Sequence, residues 1–183
     1  MRPALVKTSK LLSLILRHNP GRIGLTLDRA GWADLAELVE LAQRHGIRLD
    51  EQTVLEVVEH NDKKRFTLSE DGRRIRAAQG HSIPVDLGLP EVEPPELLFH
   101  GTAARNVESI RARGLHPGRR QHVHLSPDEE TAVRVGQRHG EPVVLRIASG
   151  AMHRAGHVFH ISENGIWLTP SVPPEFIEAS AAE

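Results

Sequence analysis

A proline-bearing segment in the middle of the chain is the feature that most restricts the fold. The stretch SIPVDLGLPEVEPPE, residues 82–96, contains four prolines and little periodicity, so it predicts an extended connector. A connector at this place divides the 183 residues into two parts that can each bury a small core without disulfides. We therefore predict one lobe over 1–84, a linker over 85–96 and a second lobe over 97–183.

The first part has the pattern of a small helical lobe that ends in a hairpin. TSKLLSLILRH predicts a helix with Thr8 or Ser9 as its N-cap, and DEQTVLEVVEHN predicts another helix. Between them, DLAELVELAQRHG carries a capping box from Asp34 to Glu37 and ends at Gly46. KRFTLSEDGRRIRAA alternates around a Glu-Asp-Gly turn, which predicts a β-hairpin. Three helices followed by a hairpin favour a winged-helix lobe.

The second part is rich in short apolar runs that predict strands. ELLFHGT, QHVHLS, PVVLRIA, GHVFHIS and GIWLT each fit a strand, and ARNVESIRARGL predicts a helix that ends at Gly114. After QHVHLS, Ser126 is in the position of an N-cap and Pro127 in that of the first helical residue. The whole chain is therefore predicted to be α+β, with a β-rich second lobe.

Composition excludes several classes of function. The chain has no cysteine, which excludes disulfides, a thiolate nucleophile and cysteine-bound zinc. No apolar run approaches the roughly 20 residues that cross a bilayer, and the N-terminus has no signal-type apolar core, so we expect a cytoplasmic location and no membrane partner. Rossmann, P-loop and α/β-hydrolase motifs are absent. With 3% aromatic residues and no Tyr, contacts to RNA would rest on phosphate and sugar.

The first candidate site is the pair Arg17-His18, at the end of an apolar helix that Asn19-Pro20-Gly21 stops. In a helix, His18 shares a face with Leu14, whereas Arg17 lies near Lys10, so the pair is at the edge of the apolar face. Taken alone, the pair has a simpler explanation, in which His18 caps the helix dipole and Arg17 is a solvated surface residue.

Two further polar stretches occur in the first part. NDKKRF enters the hairpin with Arg65 on the strand face opposite to Phe66, which by itself also fits a basic turn. RAAQGHS ends the hairpin, where Gly80 allows close backbone approach and Gln79, His81 and Ser82 are suitable donors to phosphate oxygens. Such a string is also common in ordinary exposed loops.

The second part places several histidines in or beside predicted strands. His122 and His124 lie two residues apart in RRQHVHLS and so face the same way, which could form half of a zinc site. No HExxH-type helix supplies a third ligand, so we expect no metal.

Jointly, these motifs are more specific than any one of them. SKLLSLILRHNP, NDKKRF, RAAQGHS, LFHGT, RRQHVHLS and NGIWLT, in this order and spacing, resemble the NAD-dependent RNA 2′-phosphotransferase family. The resemblance extends from about Lys7 to Phe176 and so includes both predicted lobes.

The resemblance implies both a fold and a reaction. Members of the family have an N-terminal winged-helix RNA lobe and a C-terminal NAD lobe with the ADP-ribosyltransferase fold. They remove an internal 2′-phosphate from RNA, such as the one at a tRNA splice junction. The 2′-phosphate attacks C1″ of the nicotinamide ribose and releases nicotinamide. The ribose O2″ then attacks the phosphate, which yields RNA with a 2′-hydroxyl and ADP-ribose 1″,2″-cyclic phosphate, without a metal.

The resemblance also implies which residues act. The family's catalytic tetrad corresponds to Arg17, His18, Arg65 and Arg120, although the neighbouring Arg119 leaves the last match ambiguous by one residue. The residues expected to bind NAD, on its nicotinamide side or its adenosine side, are His100, Gly101, Thr102, Gly114, Leu115 and Ser126. The residues expected to contact the RNA or its phosphate are Lys10, Gln79, Gly80, His81 and Ser82.

The tetrad has a physical rationale and two competing explanations. Guanidinium groups bind phosphate oxygens in pairs and stay charged, and a histidine that titrates near neutrality can protonate the leaving O2′. The first rival is an ADP-ribosyltransferase that stops after one step and caps terminal phosphates of RNA or DNA. The second is a winged-helix RNA-binding protein without catalysis. NAD is the expected co-substrate, RNA with an internal 2′-phosphate the expected partner, and a monomer the expected state.

Overall fold

The structure of the chain is a computed structural model that describes residues 3–61 and 63–178. It divides into a first unit that ends at Gly88 and a second unit that follows it. The division falls inside the predicted linker. The ends of the predicted lobes, residues 1–2 and 179–183, lie outside the described residues.

Within residues 3–61 and 63–88, the first unit consists of three α-helices and one antiparallel sheet. In chain order its elements are α1 (Pro3–Arg17), β1 (Ala33–Asp34), α2 (Leu35–Arg44), α3 (Glu51–Glu59), β2 (Phe66–Leu68) and β3 (Arg74–Ala77). The strands are arranged in the order β1-β3-β2. The predicted three helices and hairpin are therefore confirmed.

The helix starts of this unit were predicted with mixed success. α1 begins at Pro3, so the predicted cap at Thr8 or Ser9 is wrong. The apolar stripe reaches back to the buried Leu5, and Ser9 is buried in the helix interior, while a proline is tolerated in the first turn. At α2 the Asp34 carboxylate accepts a hydrogen bond from the Glu37 N–H at 2.9 Å, which confirms the predicted cap.

The hairpin has a core face and an outer face. Phe66 lies opposite Ala77 and Leu68 opposite Ile75, and this set packs onto the helices. Because side chains alternate along a strand, the residues between them point to the other face. The core of the unit is formed by the apolar sides of the three helices and the hairpin, with the fully buried residues Leu12, Ile15, Leu16, Ile23, Leu38, Val54, Val57 and Ile75.

The second unit combines two small antiparallel sheets with three helices. In chain order its elements are β4 (Leu98–Ala103), α4 (Val107–Arg113), β5 (Val123–Leu125), α5 (Glu129–Gly136), β6 (Pro142–Ile147), α6 (Ser149–Arg154), β7 (His160–Ile161), β8 (Trp167–Thr169) and β9 (Ile177–Glu178). The sheet orders are β4-β6-β9 and β5-β8-β7. All five predicted strands and the two predicted helices are present, so the α+β prediction is confirmed.

One helix of this unit was not predicted and one was given the wrong start. α6 begins with Ser-Gly-Ala, which has no apolar period, but the Ser149 hydroxyl donates to the Pro95 carbonyl at 2.7 Å and fixes its first turn. α5 is capped by Asp128, so the predicted N-cap at Ser126 is wrong. Ser126 instead exchanges two backbone hydrogen bonds with Phe99, at 2.7 and 2.9 Å, and stays extended.

Close packing between β4 and α5 restricts one glycine. A Cβ atom built on Gly101 would lie 1.8 Å from the carbonyl oxygen of Ala132, so the helix backbone lies directly on the strand. The core of the unit contains Leu98, Val123, Leu125, Leu145, Ile147, Met152, Phe159 and Val172. In the part of the chain that the structure describes, no helix is both long enough and apolar enough to cross a membrane.

The predicted linker is bound to the units on its two sides. Before the division, the Asp86 N–H donates to the Arg29 carbonyl at 2.8 Å in the first unit. After it, the Val92 N–H donates to the Phe159 carbonyl at 2.9 Å in the second unit. The first part of the segment is therefore hydrogen-bonded to the first unit and the later part to the second unit.

Candidate active site

Arg17 is buried at the end of α1, where it reaches the start of the hairpin. Its side chain is 9% exposed, and its Nη2 donates to the backbone carbonyl of Arg65 at 3.3 Å. Its Cζ lies 5.9 Å from the centre of the Phe66 ring, a cation–π distance. The alternative explanation of Arg17 as a solvated surface residue is therefore wrong, and α1 and the hairpin bring Arg17 and Arg65 together.

Arg65 is oriented by a buried asparagine that the sequence analysis did not select. The Asn61 side chain is 4% exposed, and its Oδ1 accepts from Arg65 Nη1 at 3.3 Å and from the Lys63 N–H at 3.2 Å. The Lys64 N–H donates to the Asn61 carbonyl at 2.7 Å, and Lys64 has a positive φ of 41°. The tight turn NDKKRF, whose Asp62 is not described, thus serves to fix a guanidinium group.

His18 is exposed next to Arg17 and is held by the end of the hairpin segment. Its Nδ1 lies 2.9 Å from the Ser82 hydroxyl oxygen, a hydrogen bond whose donor depends on the ring tautomer. The Ser82 N–H donates to the Arg17 carbonyl at 2.9 Å. Ser82 therefore orients the imidazole ring of His18 through Nδ1.

The other residues predicted to contact RNA lie around this cluster in different environments. Lys10 is exposed on α1, and Gly80 is buried with a φ of +89°. Gln79 is partly buried, and its Oε1 has no hydrogen-bond partner. The His81 ring is 1% exposed, and neither of its nitrogens has a hydrogen-bond partner. Ser82 is exposed, and Arg76, at the start of the RAAQGHS segment, is partly exposed.

The pKa of His81 reflects the positive charges of the neighbouring side chains. Burial, followed by the charges of Arg17, His18 and Arg76, lowers the pKa of His81 from 6.5 to about 4. Three basic groups therefore act on one buried ring, and the ring remains neutral near pH 7. The cluster is a region of positive potential, which is what binding of a phosphate dianion requires.

In the second unit, His100 on β4 is held as a neutral ring with a defined tautomer. Its Nδ1 donates to the backbone carbonyl of His124 at 3.0 Å, which fixes the proton on Nδ1 and makes Nε2 an acceptor. Burial lowers the pKa of His100, a shift that the hydrogen bond to His124 partly opposes. Thr102 is buried two residues further along the strand, and its Oγ1 accepts from Asn106 Nδ2 at 3.3 Å.

His124 also contacts the side chain of Arg120. Arg120 Nη1 lies 2.5 Å from His124 Nδ1, so one residue binds Arg120 through its ring and His100 through its carbonyl. Arg119 and Arg120 are both exposed. Of the two, the contact with His124 gives Arg120 a preferred direction, and His124 is a second residue that the sequence analysis did not assign.

The remaining residues predicted to bind NAD have backbone roles in the fold. Gly101 packs against α5, and Ser126 pairs with Phe99 as described above. Gly114 has a φ of +80°, and a Cβ there would lie 2.2 Å from the Val172 carbonyl oxygen. The Leu115 side chain is part of the core, and its backbone pairs with Val172. These four residues can meet a ligand only through exposed parts of their backbone or, for Ser126, through a largely buried hydroxyl.

Comparison with known proteins identifies the family. A family model described as "RNA 2'-phosphotransferase, Tpt1 / KptA family" matches residues 3–171. The chain is 59% identical to "Probable RNA 2'-phosphotransferase" of Agrobacterium fabrum, over 95% of this chain and 94% of that protein. It is 55% identical to the proteins of the same description from Streptomyces griseus (94% of this chain, 95% of that protein) and Pseudomonas aeruginosa (96% and 97%). The chain belongs to the RNA 2′-phosphotransferase family.

Membership of the RNA 2′-phosphotransferase family has two immediate consequences. The chain is a transferase, as the sequence analysis predicted. The match includes the first unit and most of the second, so every predicted site residue from Lys10 to Ser126 lies inside the region that is shared with the other RNA 2′-phosphotransferases.

The histidines that could have suggested zinc are arranged differently in this RNA 2′-phosphotransferase. The rings of His122 and His160 are 6.1 Å apart in an edge-to-face contact. Within residues 3–61 and 63–178, no group of three or more His, Asp or Glu side chains could hold a metal ion. A reaction without a metal remains a prediction.

Proposed function

We propose that the chain removes an internal 2′-phosphate from RNA by transferring it to ADP-ribose derived from NAD. The products are nicotinamide, RNA with a 2′-hydroxyl and ADP-ribose 1″,2″-cyclic phosphate. The observation that carries the proposal is the cluster of Arg17, His18 and Arg65, three residues from two distant segments held together in a family of RNA 2′-phosphotransferases. The proposed substrate is a tRNA-like RNA.

The proposal assigns one substrate to each unit. The first unit acts as a winged-helix RNA lobe, which three helices followed by a hairpin support. The second acts as an NAD lobe of the ADP-ribosyltransferase type, which its two small antiparallel sheets are compatible with. A cytoplasmic location and a monomeric state remain predictions.

The three arginines of the tetrad bind the 2′-phosphate in this proposal. Arg17 and Arg65 are held by the Arg65 carbonyl and by Asn61, so their guanidinium groups lose little side-chain entropy when a phosphate binds. Arg120 is the fourth tetrad residue on its sequence spacing and on its contact with His124. Bidentate arginines stabilise the charge that gathers on the phosphate during transfer.

His18 moves a proton in this proposal. Ser82 orients the ring through Nδ1, and the imidazole protonates the O2′ atom that leaves the phosphate in the second step.

The NAD residues fit a ribose ligand through His100. The neutral ring of His100 has its donor committed to the His124 carbonyl, which leaves Nε2 as an acceptor for a ribose hydroxyl. Thr102, two residues along β4, and Ser126, which pairs with Phe99, supply hydroxyls beside it. Gly101, Gly114 and Leu115 shape the backbone. When it is bound, NAD supplies an electrophilic ribose carbon with nicotinamide as the leaving group.

The test is an incubation of the full chain with NAD and a short RNA that carries one internal 2′-phosphate. We expect nicotinamide, 2′-hydroxyl RNA and the cyclic phosphate in equal amounts, and we expect His18→Ala to accumulate RNA that still carries ADP-ribose. ADP-ribose left on a terminal phosphate, with no cyclic product, would indicate the capping activity instead. Binding of RNA with no consumption of NAD would overturn the proposal.

A further inference from the structure

The outer face of the hairpin carries three arginines in a row. Thr67 lies opposite Arg76, and Arg74 follows on the same face two residues along β3. The Ala78 N–H donates to the Arg65 carbonyl at 2.9 Å and continues the pairing by one residue, so Arg65 belongs to the same face. We call Arg65, Thr67, Arg74 and Arg76 the arginine face. Arg65 is at one end, and Arg76 and then Arg74 follow at intervals of about 6.6 Å, two residues of strand rise.

A tryptophan orders the two outer arginines of this face. Trp32 immediately precedes β1, which pairs with β3 through Ala33 and Ile75. The Cζ of Arg76 lies 4.5 Å from the centre of the Trp32 ring and that of Arg74 lies 5.3 Å from it, both within cation–π range. An arginine that lies against a ring loses part of its rotamer freedom before a ligand binds.

Two carboxylates lie beside Arg74. The Asp28 carboxylate lies 3.8 Å from Arg74 Nη1, with both side chains about half exposed, and such a pair is weak and readily exchanged. The Asp34 carboxylate, at the position opposite Arg74, accepts the hydrogen bond from the Glu37 N–H as the cap of α2. Arg76 is close enough to the site cluster to contribute to the lowered pKa of His81.

A solvated basic surface would explain any one of these arginines alone. It does not explain why two of them share one indole ring on a face that begins at a tetrad residue. Single-stranded nucleic acids are bound by basic tracks that follow the backbone, and arginine planes also receive bases.

We propose that the arginine face binds the backbone phosphates of the RNA nucleotides next to the 2′-phosphate, with Arg76 nearer to that phosphate and Arg74 farther from it. Trp32 orders both side chains for this contact. The inference rests on the proposed function, because that function assigns the 2′-phosphate to Arg65. Its partner is single-stranded RNA, recognised through phosphate rather than through base sequence.

The experiment measures RNA binding by the full chain without NAD, as a function of salt concentration. The ligand is a single-stranded RNA of about ten nucleotides with one internal 2′-phosphate, a length within the range that single-strand binding sites cover. The variants are Arg74→Ala and Arg76→Ala. The matched control is Arg73→Ala, which removes the same charge from an exposed residue that neighbours Arg74 but lies out of phase with the arginine face.

Each of the two variants is expected to weaken binding about fivefold at low salt, as the loss of an exposed ion pair does. Each is also expected to reduce the slope of log K against log salt by about 0.7, the value for one phosphate contact on a single strand. Arg73→Ala is expected to reduce the affinity and the salt slope by less than either of these variants. Arg76→Lys, which keeps the charge, is expected to retain the slope, and an unchanged far-UV circular dichroism spectrum will show that the variant is folded.

Two outcomes separate this inference from the proposed function. If the wild-type chain turns over the 2′-phosphorylated RNA but Arg74→Ala and Arg76→Ala lose no more of the slope than Arg73→Ala, the arginine face does not bind RNA and the proposed function stands. If Arg74→Ala and Arg76→Ala show the expected slope changes but the wild-type chain shows no turnover, the surface is supported as an RNA-binding face and the proposed function fails.

Discussion

The buried ring of His81 leads to a specific prediction about stability and pH. The ring is 1% exposed, has no hydrogen-bond partner and has a pKa of about 4 in the folded chain, compared with about 6.5 for an unperturbed histidine. The folded state therefore disfavours the charged ring. Its contribution to stability is fully present above pH 6.5 and is lost as the pH falls toward 4, because the unfolded chain then binds a proton that the folded chain does not.

The magnitude follows from the two pKa values. Each pH unit inside this window changes the free energy of unfolding by about 1.4 kcal/mol for one group. A change from pH 7 to pH 4.5 should therefore cost the first unit about 2.5 kcal/mol through His81 alone. For a unit of this size, such a loss is a large part of the usual stability.

The assay uses the distribution of the two tryptophans in the chain, Trp32 in the first unit and Trp167 in the second. In a Trp167→Phe background, urea unfolding followed by fluorescence reports on the first unit. His81→Leu should be less sensitive to acid than its parent by about 2.5 kcal/mol between pH 7 and pH 4.5. His45→Leu, which replaces an exposed histidine of the same unit, is the control for changes in the unfolded chain.

Equal acid sensitivity of the parent and the His81→Leu variant would refute the reasoning. It would mean that the folded chain accommodates a protonated ring at this position, so that the environment of His81 is not the dry and positively charged one described above.

Three further variants test the site and the fold. Arg120→Ala should reduce turnover at least tenfold more than Arg119→Ala, because loss of one charge-assisted contact to the reacting phosphate lowers the rate by that much. The reverse order in steady-state assays would show that Arg119 is the tetrad residue. Ser82→Ala should lower kcat more than it raises KM and should shift the pH profile of kcat, because His18 loses the hydrogen bond of its Nδ1. An unchanged pH profile would contradict this role of Ser82. Gly101→Ala should destabilise the second unit by about 3 kcal/mol, since a Cβ would collide with the α5 backbone, and an unchanged melting temperature would contradict it.

Local signals in the sequence were sufficient where the structure is decided by neighbours in the chain. The cap of α2 at Asp34 needs only the N–H of Glu37, three residues away. The hairpin follows from alternation around a turn, and so the outward position of Arg65 opposite the side of Phe66 was predictable.

Contacts between distant segments decided the features that local sequence signals do not predict. Arg17 has the sequence context of a solvated helix end, but the Arg65 carbonyl that receives it lies 48 residues away. Ser126 stands in a Ser-Pro-Asp-Glu sequence that favours a helix start, and pairing with Phe99 overrides it. The burial of His81 depends on packing next to Gly31, where a Cβ would lie 3.5 Å from its Nε2.

The register of the hairpin links folding to chemistry in a way that bears on how this protein can change. If β2 slipped by one residue against β3, one strand would turn over. Phe66 would then enter water and Arg65 the core or, if β3 turned over instead, Arg74 and Arg76 would enter the core. Because burying those charges is unfavourable, a hairpin with the slipped register and a misplaced Arg65 is not expected to form a stable fold. Mutations that weaken the apolar side of this hairpin are thus expected to lower the amount of folded protein rather than to yield a folded enzyme with a damaged site.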